Sequence, residues 1–188
     1  MAERLAVCDL WAAEAYLTAL DAGEKSMLAM LDEGKKLHNW LHEWVNKNYP
    51  AECMRAAGSN GIGYTYKDAK QSIHSMNYGA RPDKIAASAG LPFYVGQAIY
   101  SFYHGTFPGI QLRMSKIEND LRTRGYLVSP LGRKRIFFSP WNNKLLQEAY
   151  AWKSQSAIGE LTNIGLTKLY WMGQLHDPWL FPALNTHD

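Results

Sequence analysis

The apolar positions of this chain recur mainly at helical spacing. One such stretch runs over residues 11–31 with an interruption at 22–23, and a second runs over residues 37–45. A polar and aromatic face at helical spacing indicates one further helix. Prolines that suit a first helical turn indicate the start of others. The pattern therefore predicts helices over residues 65–77, 82–89, 92–103, 108–124 and 142–171.

Strand signals are fewer and short. Apolar runs over residues 4–10 and 172–176 each lead into an aspartate, and residues 125–138 alternate β-forming side chains around Ser-Pro-Leu-Gly, which predicts a hairpin. Residues 46–63 hold a proline and three glycines with little periodicity, which predicts a loop or a mobile connection. These glycines are not followed by the Lys-Ser/Thr pair of a phosphate-binding loop, so such a loop is not indicated. The predicted fold is α+β, mostly helical, with a short antiparallel sheet.

Composition narrows the class of protein. The chain has 188 residues, 47% of them hydrophobic, which is enough for a packed core, and a formal charge of only +3. Cys8 and Cys53 lie far apart, so they indicate neither a disulfide framework nor a zinc site. His38 and His42 lie four residues apart, but Asn39 stands where a metalloprotease helix has its glutamate. Without a signal peptide or a membrane-length apolar run, we expect a soluble protein of the cytoplasm, or of the host cytoplasm if the source is viral.

Two aspartates stand at the ends of predicted strands. If the strands that end at Asp9 and Asp177 are neighbours, their carboxylates can hold a pair of divalent cations. Such a pair supports in-line phosphoryl transfer because it clamps the attacking and leaving oxygens. The pairing by itself is a weak signal, since most proteins have aspartates at strand ends.

Basic residues concentrate between positions 113 and 135. Seven lysines or arginines stand there against Glu118 and Asp120, with aromatic residues nearby. This local excess is typical of a surface that follows a nucleic-acid backbone. A solvated helix followed by a polar hairpin explains it equally well. The basic residues are Arg113, Lys116, Arg122, Arg124, Arg133, Lys134 and Arg135.

Several segments together resemble A-family DNA polymerases. CDLWAAEAYLTAL resembles motif A, EGKKLHNW the following glycine and histidine, YKDAKQSIHSMNYGA motif B, and QLHDPWL motif C. FPGI, GYLVSPLGRKR and QSAIGELTNIGL resemble the signatures between motifs B and C. The order and approximate spacing match over nearly the whole chain, so the motifs reinforce one another.

The resemblance implies a partial palm with helical fingers, with limits at residues 1–45 for the first palm part, 46–124 for the fingers and 125–188 for the second palm part. The motif B helix falls at 65–78. It also implies a template-directed polymerase that uses two Mg²⁺ ions, dNTPs and primer-template DNA. In the family, the counterpart of Glu14 pairs with that of Tyr78 and favours deoxyribose. The implied residues are Asp9 and Asp177 for catalysis, with Leu10 as a further metal ligand; Glu14, His38, Lys67, Lys70, His74 and Tyr78 for the nucleotide; and Arg133, Lys134, Arg135, Gln155 and His176 for DNA.

Three departures from the family pattern limit what the resemblance implies. Tyr66 replaces an arginine of motif B, His74 replaces an aromatic Phe or Tyr, and Pro178 replaces a glutamate of motif C. The chain also lacks a thumb, so we expect a second polymerase chain to supply it together with the rest of the palm. An alternative is a non-catalytic remnant that binds DNA or a replication partner. A metal phosphohydrolase using His176 and Asp177 lacks the other ligands it would need.

Overall fold

A computed structural model describes residues 10–56 and 63–175 of the chain. Over these residues the protein is mostly helical, with one short antiparallel sheet, as the sequence pattern predicts. In chain order the elements are α1 (Ala13–Ala22), α2 (Lys25–Asp32), α3 (Leu37–Asn48), α4 (Pro50–Ala56), α5 (Tyr66–Asn77), α6 (Pro82–Ala89), α7 (Phe93–Thr106), α8 (Pro108–Arg124), β1 (Tyr126–Val128), β2 (Lys134–Ile136) and α9 (Asn143–Leu175).

Local sequence explains where several helices begin. Pro82 and Pro108 occupy the first turns of α6 and α8, where the missing N–H costs nothing and the fixed φ angle suits a helix. The Asn142 side chain accepts a hydrogen bond of 2.9 Å from the backbone N–H of Leu145 at the start of α9. The helices predicted around these signals are therefore confirmed to within a few residues.

Helices α1 to α7 and the start of α8 form the larger of two cores. α3 packs against α5, and α6 packs against α7. Met27, Leu41, Ile99 and Phe107 are fully buried there. Burying each of these side chains stabilises the fold by roughly 1.5 to 3 kcal/mol. This core holds α5 in a fixed position on α3.

A second, smaller core joins α8, β1 and the first half of α9. Its buried members are Ile117, Leu121, Leu127, Ala149 and Tyr150. In the hairpin, Leu127 pairs with Arg135 on the inner face, whereas the neighbouring pairs Tyr126–Ile136 and Val128–Lys134 are on the outer face. The hairpin predicted around Ser-Pro-Leu-Gly is thus confirmed.

Two predicted segments differ from the structure. Residues 50–56, expected within a loop, form α4, because Pro50 begins a helix at its first position. Residues 172–175, expected to be a strand, belong to the last turn of α9, which runs for 33 residues without a break. A strand needs a hydrogen-bonding neighbour, whereas a helix satisfies its backbone internally. The rest of that predicted strand and the one over residues 4–10 lie outside the described residues, apart from Leu10.

The second half of α9 extends beyond the smaller core. Its large apolar side chains include Leu161, Ile164, Trp171 and Met172, each between 41% and 57% exposed. Apolar surface of this kind is typical of an interaction site. Among the helices that the structure describes, none combines the length and the apolar character needed to cross a bilayer.

Candidate nucleotide-binding site

One helix carries most of the residues predicted to bind a nucleotide. The Thr65 side chain accepts a hydrogen bond from the backbone N–H of Asp68, and the Asp68 carboxylate accepts one from the N–H of Thr65, so α5 begins with a capping box. One side of α5 packs on α3 in the larger core. The other side carries the predicted residues at helical spacing, with Lys67 and Lys70 exposed and His74 and Tyr78 half-buried.

Glu14, His38 and His74 come from α1, α3 and α5 and meet at one place. Nδ1 of His74 lies 3.2 Å from Oε2 of Glu14, so the imidazole pairs with the carboxylate. The His38 and His74 rings stack with their centroids 5.9 Å apart. Nδ1 of His38 is hydrogen-bonded to the Tyr66 hydroxyl at 3.1 Å. The structure thus brings together three residues that separate motifs single out, and Tyr66 joins them.

His38 is neutral near pH 7. Burial lowers its pKa to about 4, and the positive charges of His74, Lys70 and Lys36 act in the same direction. The permanent cations around its ring are therefore the two lysines. Lys36 was not among the residues predicted from sequence, although it stands only two positions before His38 in EGKKLHNW.

Glu14 and Tyr78 do not pair as the resemblance implies. Oε1 of Glu14 and the hydroxyl of Tyr78 are both buried, and neither has a hydrogen-bond partner among the described residues. Glu14 pairs with His74 instead, because the imidazole at this position offers a nitrogen that the usual Phe ring lacks. The histidine at position 74 therefore supplies the contact that the Glu14 carboxylate makes in this structure.

An open cleft of about 540 Å³ lies next to Tyr78. His74 and Tyr78 line it from α5, and Lys84 and Lys144 line it from α6 and α9. Gly79 follows directly and has a left-handed backbone with φ of 81°, and a Cβ there would come within 2.8 Å of the Tyr150 ring. The Tyr-Gly pair therefore has a structural reason, since a larger residue than glycine would push α9 away from the end of α5.

The basic hairpin presents some of its predicted DNA-binding residues and uses another internally. Arg133 and Lys134 are exposed, and Nζ of Lys134 lies 3.7 Å from the centroid of the Tyr126 ring. Arg135 forms an ion pair with Glu148 of α9, so it ties the hairpin to that helix. Gln155 is exposed on α9.

Arg113 does not belong to a basic surface, contrary to the charge count along the sequence. Its side chain is 1% exposed and its Nε donates a hydrogen bond of 2.7 Å to Asp21 of α1. Lys153 of α9 pairs with the same carboxylate. These three residues join α1, α8 and α9, and they fix the helix that carries Glu14. Asp21 and Arg113 are 92 residues apart in the chain, so the sequence alone does not indicate that they pair.

The predicted catalytic pair lies outside the described residues. Asp9, His176 and Asp177 are there, so the structure describes only Leu10 of the predicted metal ligands, as an exposed residue before α1. Within residues 10–56 and 63–175 there is no group of three His, Cys, Asp or Glu side chains that could hold a metal ion.

Comparisons with known proteins point to one class. No model of a known protein family matches the chain. It is 22% identical over 184 residues to a DNA polymerase of Mycobacterium phage L5, a match that covers 98% of this chain and 27% of the phage protein. It is 23% identical over 117 residues to the thermostable DNA polymerase I of Thermus aquaticus, covering 61% of this chain and 13% of that protein. The chain thus spans about a quarter or less of these relatives.

The fold has a solved counterpart. The POL domain of Pol1 from M. smegmatis, in complex with DNA primer-template and dNTP, superimposes with a TM-score of 0.65 at 15% sequence identity. The match covers 89% of this chain and 30% of that one. The resemblance to A-family DNA polymerases that the motifs indicate is therefore confirmed: the chain is similar in sequence to phage and bacterial DNA polymerases and has the fold of part of a POL domain.

Proposed function

We propose that this chain takes part in template-directed DNA synthesis by two-metal nucleotidyl transfer, as a fragment or subunit of an A-family DNA polymerase. The observation that carries the proposal is the meeting of Glu14, His38 and His74, which three separate polymerase-like segments contribute. The curated relatives are DNA polymerases, and the solved neighbour holds primer-template DNA and a dNTP. DNA and nucleotides are accordingly the partners that we propose here.

The nucleotide would lie along the outward side of α5. Lys67 and Lys70 are exposed there, and Lys36 lies close enough to His38 to lower its pKa. Their positive charges would stabilise a triphosphate and the charge that develops on the leaving pyrophosphate. His74 and Tyr78 would present ring surfaces beside the sugar and the templating base, where stacking contributes about 1 to 3 kcal/mol per base.

Asp9, Asp177 and the backbone carbonyl of Leu10 would hold two Mg²⁺ ions. All three donors are oxygens, which is the ligand type that Mg²⁺ prefers. The Leu10 carbonyl accepts a hydrogen bond of 3.2 Å from the N–H of Ala13, and its second lone pair can serve a metal. When bound, such a metal pair stabilises the attacking and leaving oxygens of the transferred phosphoryl group.

Primer-template DNA would contact the outer side of the hairpin. Arg133 and Lys134 would bind phosphates, and Gln155 and His176 would make further contacts with the DNA. Arg135 would act through its ion pair with Glu148, because that pair orients the hairpin on α9.

A second polymerase chain would complete the enzyme. The exposed apolar side chains of α9, from Leu161 to Met172, support this proposal because they lack a covering layer in the described part of the chain. That partner would supply the thumb and the rest of the palm. The division into palm parts at residues 1–45 and 125–188 and fingers at 46–124 remains part of the same proposal, as does a cytoplasmic location.

Primer extension tests the proposed function. The chain is incubated with Mg²⁺, dNTPs and a primed template, alone and with candidate partner chains, and Asp9→Ala and Asp177→Ala are compared with the matched variant Asp32→Ala. Asp32 is an exposed carboxylate on α2 whose only described bond is to Tyr16. We expect extension to be lost with the first two variants and kept with the third. Extension that survives Asp9→Ala would exclude the proposed mechanism.

A non-catalytic DNA-binding remnant is the second candidate. The exposed basic side chains of the hairpin and Pro178 in place of a motif C glutamate favour it. On this hypothesis, Arg133→Ala with Lys134→Ala would weaken binding to a primed duplex, and Asp9→Ala would leave binding intact while no partner restores extension. Electrophoretic mobility shifts at two salt concentrations measure this binding, and primer extension with the partner chains separates the two candidates.

A further inference from the structure

We propose that the end of α8 and the loop between β2 and α9, residues 137–142, form a binding surface for single-stranded DNA. Phe138 and Trp141 stack on bases, and Arg122 of α8 binds a phosphate. The occupant is the single-stranded part of the template. This inference rests on the proposed function and specifies which part of a primer-template the protein contacts at this surface.

Two aromatic side chains of the loop are exposed next to the end of α8. Phe138 is 89% exposed, and Trp141 is 43% exposed. The guanidinium carbon of Arg122 lies 4.0 Å from the centre of the Trp141 ring. The N–H of Phe137 donates a hydrogen bond of 3.2 Å to the carbonyl of Gly125, the residue that follows α8. Exposed rings gathered in this way are typical of an interaction surface.

The charge of this part of the chain favours a nucleic acid as the occupant. Residues 121–147 contain six lysines or arginines and no aspartate or glutamate. Arg135 pairs with Glu148, and Arg124 lies 3.9 Å from Asp120. The other four cations have no carboxylate partner among the described residues: Arg122, Arg133, Lys134 and Lys144. Such an excess attracts phosphates, and it is unfavourable for a second copy of the same basic surface.

The exposed rings favour a single strand over a duplex. In a duplex the bases stack on one another, whereas each base of a single strand can stack on an aromatic side chain or on an arginine. Cations and rings also alternate at this surface. Arg122 lies over Trp141, and Nζ of Lys134 lies 3.7 Å from the centre of the Tyr126 ring. This is the composition that binds both the backbone and the bases of a single strand.

The surface extends toward the open cleft next to Tyr78. Lys144 lines that cleft and follows Trp141 by three residues, so their Cα atoms are at most about 11 Å apart. A strand that passes the cleft therefore reaches Trp141 within a few nucleotides.

Binding of oligonucleotides to the full 188-residue chain tests the proposal. Fluorescence anisotropy measures the affinity for a labelled thymidine oligonucleotide, for a blunt duplex and for a duplex with a long 5′ overhang, without Mg²⁺ or nucleotides. Phe138→Leu and Trp141→Leu remove the rings, whereas Phe138→Tyr and Trp141→Phe keep a ring for stacking. Phe93→Leu is the matched control, because Phe93 is 60% exposed at the start of α7.

We expect each leucine variant to weaken binding to the thymidine oligonucleotide by about fivefold or more, the effect of losing one stacked base. Phe138→Tyr, Trp141→Phe and Phe93→Leu should stay within about twofold of the wild type. The affinity for the blunt duplex should not change. Size-exclusion chromatography of the same variants should show no change in the state of association.

The salt dependence gives a second readout. Arg122→Gln should reduce the slope of log K against log salt for the oligonucleotide by about 0.7, because one phosphate contact to a single strand releases about that many counterions. Lys47→Gln, which changes an exposed lysine of α3, should leave the slope unchanged.

Three results overturn the inference. They are leucine variants that bind the oligonucleotide as the wild type does, leucine variants that lose affinity equally for the blunt duplex, and a leucine variant that dissociates a dimer without weakening DNA binding. If primer extension succeeds while one of these results is found, the inference fails and the proposed function stands. If the chain binds the oligonucleotide as expected but extends no primer with any partner, the surface stands and the proposed function fails.

Discussion

The Asp21 carboxylate pairs with two cations in the interior of the protein. Arg113 of α8 and Lys153 of α9 both pair with it, and Nη2 of Arg113 also donates a hydrogen bond of 2.9 Å to the Tyr150 carbonyl. The Arg113 side chain is 1% exposed, and those of Lys153 and Asp21 are 16% and 15% exposed. Solvent therefore does little to screen this network. We predict that Asp21→Asn destabilises the fold strongly.

The expected magnitude follows from burial. Removing one partner of a buried ion pair costs about 3 to 5 kcal/mol, because the remaining charge stays buried without compensation. Burial alone would raise the pKa of Asp21, but Lys153 and Arg113 outweigh it and lower the pKa. A carboxyl with a lowered folded pKa stabilises the fold above its unfolded value, about 3.9, and loses that contribution as the pH falls further. Asp21→Asn should therefore lack this part of the acid sensitivity.

Urea unfolding at pH 7 and at about pH 2.5, well below the unfolded pKa, measures both effects. Asp120→Asn is the control, because Asp120 lies 3.9 Å from Arg124, whose side chain is 60% exposed on the same helix, and this substitution should change stability by about 0.5 kcal/mol or less. Replacing all three residues by apolar ones, as Asp21→Leu, Arg113→Met and Lys153→Met, should restore most of the stability. If Asp21→Asn costs no more than Asp120→Asn, the network does not act as a buried one and the reasoning is refuted.

Three further predictions concern stability and are measured by urea or thermal unfolding. Burial lowers the pKa of His104 to about 4, so this residue should contribute a loss of stability on the order of 2 to 3 kcal/mol as the pH drops from about 6.5 toward 4, and His104→Phe should remove that contribution while the one from His38 remains. Gly109→Ala should cost about 1 to 3 kcal/mol because its Cβ would lie 2.8 Å from the Ala22 carbonyl oxygen, whereas Gly105→Ala, with open space around it, should be neutral or stabilising. Gly79→Ala should cost about 2 kcal/mol or more, since it combines a positive φ with a contact on Tyr150, and an effect below that of Gly105→Ala would contradict the role given to the Tyr-Gly pair.

Local signals predicted most of the fold. Prolines begin α6 and α8, and a glycine follows α8. Because the backbone preferences of proline and glycine determine where these helices begin and end, the predicted limits agree with the structure. The predicted strand is wrong over residues 172–175 for a different reason. An apolar run has no unique period when it continues a long helix, and only a neighbouring strand could have made it extended. For residues 50–56, the nearby glycines favour a loop, whereas in the structure a helix, α4, begins at Pro50.

The proximity of Glu14, His38 and His74 could be expected from the motifs, but their contacts could not. Motif order indicated that Glu14, His38 and His74 share a pocket, and the structure brings them together. The pairing of Glu14 with His74 depends on the relative placement of α1 and α5, which sequence spacing does not contain. A charge count along the sequence likewise could not show that Arg113 is buried, because its partner Asp21 lies 92 residues away in the chain.

The charges around His38 indicate which groups of the proposed site would attract a triphosphate. Because its pKa is about 4, His38 contributes no positive charge near pH 7, and it is a hydrogen-bonding group held in place by Tyr66 and the His74 ring. Electrostatic attraction must then come from the lysines at positions 36, 67 and 70, whose ammonium groups can follow a mobile phosphate. The His74 imidazole is paired with the Glu14 carboxylate. Under the proposed function, the lysines would bind the phosphates, whereas His74 would lie beside the sugar.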